Sequence, residues 1–136
     1  MATAAEFAIG QSVVVERHVS LDDVDRFCEL SGDTSAIHVD ESAAHARNLD
    51  GRVAHGVLIS SFVSAVIGTE LPGDDGIMQS IQMNFRNPVI PPETLVIKAE
   101  IIGISAAVGQ LTIRVEVRQK TDGTLAATGE VRSLVR

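Results

Sequence analysis

An aspartate and a histidine, Asp33 and His38, lie five residues apart in a short polar segment of the chain. A neutral imidazole can take up a proton near pH 7 and return it, and a nearby carboxylate can fix its tautomer or share a bound water with it. Such pairs also arise by chance. Acid–base chemistry is favoured here because the pair lies between the end of one predicted helix and the start of the next, and loops on rigid flanks often carry function.

A second candidate is the dipeptide His55-Gly56, which opens an apolar run. The first turn of a helix has N–H groups without intrahelical partners, and glycine lets a ligand approach them without a Cβ in the way. A thioester carbonyl bound there would be stabilised as it develops negative charge. The structural alternative is that Gly56 permits close helix packing and His55 is a side chain near the helix cap. If this segment meets Asp33 and His38 in space, the sequence predicts a lyase site.

Metal binding fits the spacing of these residues poorly. His38, His45 and His55 do not pair on one helix face, and a single cysteine cannot build a structural zinc site. We therefore expect no metal. Cys28 lies on an apolar helical stripe and is predicted to be a buried, unreactive thiol. His45 is predicted to be a solvent-exposed surface residue.

The amino-acid composition limits which classes of protein this chain can belong to. Of the 136 residues 45% are hydrophobic and 21% charged, which predicts one globular domain over residues 1–136. The net charge of −7 and an aromatic content of 3% argue against a nucleic-acid partner. One cysteine, no signal peptide and no apolar run long enough to span a bilayer predict a cytoplasmic protein without a membrane partner.

The first part of the chain is predicted to contain a short strand and then a helix. The strand covers 12–17, and the helix is capped by Ser20 and ends at Gly32. A loop begins at Asp33 and is closed by His38. This loop is therefore predicted to carry both members of the acid–base pair.

Two more helices and four strands are predicted from there on. Asp40 caps a short Ala-rich helix over 41–47, and the run 55–68 is apolar nearly all round, which predicts one buried helix. Alternating apolar residues predict strands around 81–85, 95–101, 111–117 and 125–135, the first of them half-buried. Strands that follow one another without helices predict an antiparallel sheet, and hence an α+β domain in which the sheet wraps the long helix. Such a sheet leaves an edge uncovered, which predicts a homodimer.

With these residues in place, the chain resembles the MaoC-like (R)-specific enoyl-CoA hydratases, a family with a single hot-dog domain. The resemblance covers nearly the whole length, and the segments that carry it are 27–33, 37–40, 53–58, 71–73 and 127–130. It implies that Asp33 and His38 are the catalytic pair, that the Gly56 amide forms an oxyanion hole and that Ser64 is a polar helix position near the pair. The implied fold is an antiparallel sheet around one long central helix, with a short helical overhang near the active site.

The family's reaction is the reversible addition of water to a trans-2-enoyl thioester, which gives the (R)-3-hydroxyacyl thioester. The resemblance implies a homodimer or a higher oligomer with the site at the subunit interface, and no metal or redox cofactor. One departure stands inside the motif, where Ser35-Ala36 replaces the usual Asn-Pro. We expect Ser35 and His55 among the substrate-binding residues.

Other functions stay open at this point. The acyl group of the substrate is carried as a thioester either by coenzyme A or by an acyl-carrier protein. Arg52 and Arg86 are candidates for contacts to the phosphates of coenzyme A or to an acidic carrier protein. A hot-dog thioesterase would instead direct water to C1 and release a free thiol. A non-catalytic acyl-thioester-binding module would bind the ligand without loss of the conjugated-enoyl absorbance.

Overall fold

Five strands form one antiparallel sheet in the computed structural model, which describes residues 3–135. They are β1 (Ser12–Val19), β2 (Gly76–Phe85), β3 (Glu93–Ser105), β4 (Gln110–Gln119) and β5 (Leu125–Val135). Their spatial order is β1-β3-β4-β5-β2, so β1 and β2 lie at the two edges. The predicted antiparallel sheet is confirmed. The predicted domain of residues 1–136 includes three terminal positions, 1, 2 and 136, that lie outside the described residues.

Four α-helices lie between β1 and β2 along the described chain. They are α1 (Leu21–Ser31), α2 (Ala36–Val39), α3 (Glu41–Ala46) and α4 (Gly56–Thr69), and a 3₁₀ turn covers Ala4–Glu6. None of the helices in the described part of the chain is long and apolar enough to cross a membrane.

Both ends of α1 are set by local hydrogen bonds. The Ser20 hydroxyl accepts from the Asp23 amide at 3.0 Å, and the Asp23 carboxylate accepts from the Ser20 amide at 3.0 Å, which together form a capping box. Gly32 ends the helix with a φ of 80°, a conformation that favours glycine. The predicted bounds of this helix are confirmed, and Asp33 follows directly on a rigid helix end.

The loop predicted between Asp33 and His38 is wrong in its second half, because His38 lies in α2. The His38 amide donates to the Ser35 carbonyl and the Asp40 amide to the Ala36 carbonyl, each at 2.9 Å. These bonds close a single turn that is too short to produce a periodic apolar pattern. The turn is also held from outside, since the Arg52 guanidinium donates to the His38 carbonyl at 2.7 Å. Together α2 and α3 form the short helical overhang that was expected.

The core lies between α4 and one face of the sheet. Helix α4 buries one side of its surface, with Leu58, Ile59, Phe62, Val63, Val66 and Ile67. Strands β3 and β4 alternate, so that one face carries fully buried aliphatic residues such as Ile97 and Val115 while the other carries ion pairs such as Lys98–Glu100. The predicted α+β hot-dog architecture, a sheet packed around one long helix, is confirmed.

Strand β2 is more exposed than the half-buried strand predicted from its alternation. Ile81 pairs with Val131 and Phe85 with Ala127, and because both partners are fully buried, Ile81 and Phe85 face the helix side of the sheet. They are nevertheless 37% and 51% exposed. The physical reason is the position of β2 at the sheet edge, where it pairs with β5 alone.

The central packing generates a stability prediction. Ile67 on α4 is 3% exposed, so Ile67→Ala should lower the free energy of unfolding by about 2–5 kcal/mol through lost apolar burial and a residual cavity. Urea unfolding followed by circular dichroism measures the change. Val57→Ala on the same helix is the control, because Val57 is 66% exposed and should change the free energy by about 0.5 kcal/mol or less. Equal losses in the two variants would contradict the assignment of the core.

Candidate active site

Three segments meet beside the N-terminus of α4. Asp33 follows Gly32, the residue that ends α1, His38 lies in α2, and His55 is the residue that precedes α4. A carboxylate oxygen of Asp33 and one ring nitrogen from each histidine all lie within 4.8 Å of one another. The structure therefore brings the two members of the predicted pair together and places His55 beside them.

The tautomer of His38 follows from its hydrogen bond. The ring is buried, with 8% exposure, and Nδ1 lies 2.7 Å from the Val53 carbonyl oxygen. A carbonyl only accepts, so Nδ1 carries the hydrogen in the neutral ring and Nε2 has the free lone pair. His38 thus presents a base at a defined atom.

Asp33 is held as a carboxylate by the serine two residues on. Its Oδ1 accepts from the Ser35 hydroxyl at 2.7 Å and from the Ser35 amide at 3.1 Å. The Ser35 hydroxyl bond, followed by the amide bond, lowers the pKa of Asp33 below its ordinary value. Asp33 is solvent-exposed, and its second carboxylate oxygen accepts no hydrogen bond from the described residues. Ser35, one of the two residues that depart from the resembled motif, therefore orders this carboxylate.

The separation of these groups suits one bound water. A water with hydrogen bonds of about 2.8 Å to each of two groups, at a near-tetrahedral angle, bridges about 4.6 Å. A carboxylate oxygen of Asp33 and a ring nitrogen of His38 lie within 4.8 Å of one another, which is close to this span. A charged acceptor and a basic nitrogen on one water can orient it and remove its proton.

A cavity of about 320 Å³ opens next to His38, with His38 and Gly56 in its wall, whereas Asp33 lies outside this wall. Much of the remaining wall is apolar and includes Ile59 and Phe85. Gly56 is needed for packing as well as for any ligand, because a Cβ at this position would lie 2.8 Å from the Phe85 ring. None of the described residues accepts a hydrogen bond from the Gly56 amide. The cavity thus combines an apolar lining with a base and a free backbone donor.

Three of the predicted substrate-binding residues lie outside this cavity wall. Ser64 is half-buried on α4, eight residues or about 12 Å along the helix from Gly56. Ser35 contacts Asp33 instead, and His55 is only 2% exposed. Direct contacts from these side chains to a substrate stay predictions.

The two arginines differ in their surroundings. Arg52 donates to the His38 carbonyl and forms an ion pair with Asp25, and its side chain is 15% exposed. These contacts occupy its guanidinium and hold α2 in place. They do not fit the predicted contact of Arg52 with a phosphate. Arg86 is exposed and lines the cavity, so its side chain is free to contact a phosphate there.

Cys28 and His45 match their predictions. Cys28 is 6% exposed, and burial, followed by the charge of Asp25, raises the pKa of its thiol. His45 is exposed on α3, with Nε2 3.3 Å from the Asp50 carbonyl oxygen.

The geometry of the two histidines fits a shared metal ion poorly. The rings of His38 and His55 are stacked, with centroids 3.8 Å apart and planes inclined by 22°. A metal lies near the plane of each imidazole that ligates it, and one ion cannot lie near two stacked planes at once. Nε2 of His55 is in addition occupied by the Asp33 carbonyl at 2.9 Å. The absence of a metal stays a prediction that this arrangement favours.

Sequence reasoning missed several contributors to the site. The Val53 carbonyl that orients His38 and the stacking of the two imidazoles join residues with no local pattern between them. Phe85 in the cavity wall was assigned to a strand and to nothing more. The contact of Ser35 with Asp33 did have a signal, because an Asp two residues before a Ser often forms an Asx turn.

The effect of Ser35 on Asp33 can be tested by titration. Because the Ser35 bonds lower the pKa of Asp33, Ser35→Ala should raise it towards the ordinary value of an aspartate. Stability that this interaction contributes is present above the ordinary pKa and is lost as the pH falls through the lowered one. Carboxyl ¹³C NMR against pH measures the shift. Asp122, whose pKa is lowered by Thr124 in the same way, should not move and is the internal control; an unchanged Asp33 titration would contradict the prediction.

Comparison with known proteins shows which family this chain belongs to. A 3-hydroxybutyryl-CoA dehydratase of Methylorubrum extorquens is 33% identical over 71% of the chain, and an (R)-specific enoyl-CoA hydratase of Rhodospirillum rubrum is 36% identical over 70%. The chain spans 61% and 66% of the length of these two relatives. An R-hydratase structure from Pseudomonas aeruginosa superposes with a TM-score of 0.89 at 26% identity, covering 98% of this chain and 84% of that one. Residues 4–124 match the MaoC-like domain, and the chain therefore belongs to the MaoC-like family.

Proposed function

We propose that the chain is an (R)-specific enoyl-thioester hydratase, which runs in reverse as a 3-hydroxyacyl-thioester dehydratase. The observation that carries the proposal is that a carboxylate oxygen of Asp33 lies within 4.8 Å of a ring nitrogen of His38, close to the span of one bridging water. The bond of Nδ1 to the Val53 carbonyl leaves Nε2 of the same ring as the base. The apolar cavity beside the pair supports it, since an acyl chain needs such a lining. The names of the two relatives point to the same pair of reactions.

In the proposed mechanism one water is held between Asp33 and His38. Nε2 of His38 removes a proton from the water as its oxygen attacks C3 of the enoyl thioester, and the C2–C3 double bond gives up its electrons to the thioester carbonyl. The resulting enolate oxygen accepts a hydrogen bond from the Gly56 amide, at the positive end of the α4 dipole. A proton then passes from the pair to C2, so that the net change is the addition of one water. These steps use water, two side chains and one backbone amide, and the expected absence of a cofactor stays a prediction.

The carrier of the acyl group is proposed to lie at the mouth of the cavity. Arg86 is exposed there, with Asn87 next to it. A guanidinium at this position suits a phosphate of coenzyme A or of a phosphopantetheine group on a carrier protein. We propose coenzyme A as the substrate handle, with the carrier-protein thioester as the alternative that a direct comparison of rates would reveal.

We also propose that the chain forms a homodimer along β2. This strand is ten residues long, and its helix-facing side carries the exposed apolar side chains of Met78, Ile81 and Phe85. A long apolar edge strand is a ready surface for pairing, and a second copy would cover both its free hydrogen-bonding groups and its apolar side. Because Phe85 also lines the cavity, such a partner would lie next to the proposed active site.

The hydratase proposal predicts the behaviour of two variants. Asp33→Asn and His38→Ala should each lower the turnover of crotonyl-CoA by about 10²- to 10⁴-fold, because each removes a member of the acid–base pair. Loss of the conjugated-enoyl absorbance measures the rate, and circular dichroism checks that the variants fold. His45→Ala, which removes an exposed histidine, is the control.

Each alternative function has its own outcome in this experiment. Unchanged rates in both variants would overturn the roles of Asp33 and His38. Release of a free thiol by the wild type would indicate a thioesterase. Ligand binding without any loss of absorbance would indicate a non-catalytic module.

The dimer proposal predicts a different pair of variants. Ile81→Lys should weaken self-association, because it places a charge on the apolar side of the β2 edge. Gln82→Lys puts the same charge on the opposite face of the strand, across from Glu130, and should leave association nearly unchanged. Sedimentation equilibrium measures both. A monomeric wild type, or equal association of the two variants, would contradict the proposed interface.

A further inference from the structure

A second histidine is buried directly behind the proposed catalytic pair. His55 is 2% exposed, its Nε2 lies 2.9 Å from the Asp33 carbonyl oxygen, and its ring stacks on His38 at a centroid distance of 3.8 Å. The Phe27 ring meets it edge-on at 4.8 Å, and Cys28 Sγ lies 3.5 Å from Nε2. His55 is thus confined on several sides while it touches both members of the pair.

The protonation of His55 argues against a relay of protons. Since a carbonyl only accepts, Nε2 carries the hydrogen that is shared with Asp33, and Nδ1 of the neutral ring does not. That Nδ1 is buried and has no hydrogen-bond partner among the described residues. Nε2 donates to a backbone carbonyl and Nδ1 has no partner among the described residues, so no hydrogen-bonded path runs from His55 to the cavity. His55 is also absent from the cavity wall.

We propose that His55 is a positioning residue for the acid–base pair, an inference that rests on the hydratase function proposed above. The hydrogen bond from His38 Nδ1 to the Val53 carbonyl fixes one atom of the ring but leaves the ring free to tilt about that bond. Stacking on a buried ring removes this freedom and so fixes the direction of Nε2. The hydrogen bond from His55 Nε2 to the Asp33 carbonyl fixes the position of the Asp33 backbone.

The same residue couples the pair to the proposed oxyanion donor. His55 is the residue immediately before Gly56, and its carbonyl accepts the first backbone bond of α4, from Ile59, at 3.2 Å. The His55 side chain therefore contacts His38 and the Asp33 backbone, and its own peptide unit carries the Gly56 amide. Misplacement of such groups by about 1 Å costs roughly 10²-fold in rate.

Two substitutions at His55 separate its two contacts. His55→Phe keeps a flat ring against His38 and loses the donor to Asp33, whereas His55→Gln keeps a donor and loses the aromatic ring. Each should lower kcat by roughly 10- to 100-fold while KM changes by less than about threefold, because orientation is lost and substrate contacts are not. His45→Gln makes the same chemical change at an exposed histidine and should leave both constants unchanged.

A second readout does not depend on activity. In ¹⁵N NMR of histidine side chains, wild-type His38 should show one Nδ1-protonated tautomer. His55→Gln, which loses the stacked ring, should show averaged or broadened His38 ring signals, and His55→Phe, which keeps a stacked ring, should show them nearly unchanged. If the variants fail to fold by circular dichroism, Phe27→Leu loosens the same ring from its other side and should broaden the His38 signals in a folded protein.

The outcomes distinguish this inference from the proposed function. Folded His55 variants with kcat within twofold of wild type, and unchanged His38 signals in His55→Gln, would overturn the positioning role. A loss confined to KM would overturn it too, and would show instead the direct substrate contact first expected of His55. A wild type without hydratase turnover would remove the proposed function, while the His38 spectra would still decide whether His55 orders that ring.

Discussion

Burial of α4 against one face of the sheet is the constraint on which the remaining structure depends. The helix contributes six buried residues, and the strands around it contribute fully buried aliphatic side chains from β3 and β4. This packing fixes the start of the helix in space, and with it His55 and Gly56. Because the core is built from aliphatic residues with almost no aromatics, its density comes from close interdigitation of small side chains.

The polar groups of the candidate active site lie beside the N-terminus of α4, at one end of this apolar core. These groups come from the end of α1, from the single turn of α2 and from the residues before α4, and each is held by a backbone carbonyl or a neighbouring side chain. Arg52 contributes from outside by tying the carbonyl of His38 to the Asp25 carboxylate. Most of these bonds satisfy backbone groups that a short, irregular segment would otherwise leave unpaired.

Local signals in the sequence predicted much of this. The bounds of α1 followed from Ser20 and Gly32, and the strands followed from their alternation, because these features depend on neighbouring residues alone. The turn of α2 was missed because one helical turn has no period and is held by contacts to residues about 15 positions away. The exposure of β2 was missed because alternation reports which residues share a face and does not report whether that face is covered.

The sequence by itself determined the order of the longer elements and the family, and it predicted the acid–base pair, since residue types and spacing carry these. The tertiary structure alone decided the tautomer of His38, the lowered pKa of Asp33 and the place of His55 behind both. It also assigned Arg52 to the support of α2. The physical reason is that a tautomer or a pKa depends on the atoms that surround a group, and for His38 these come from residues that are distant along the chain.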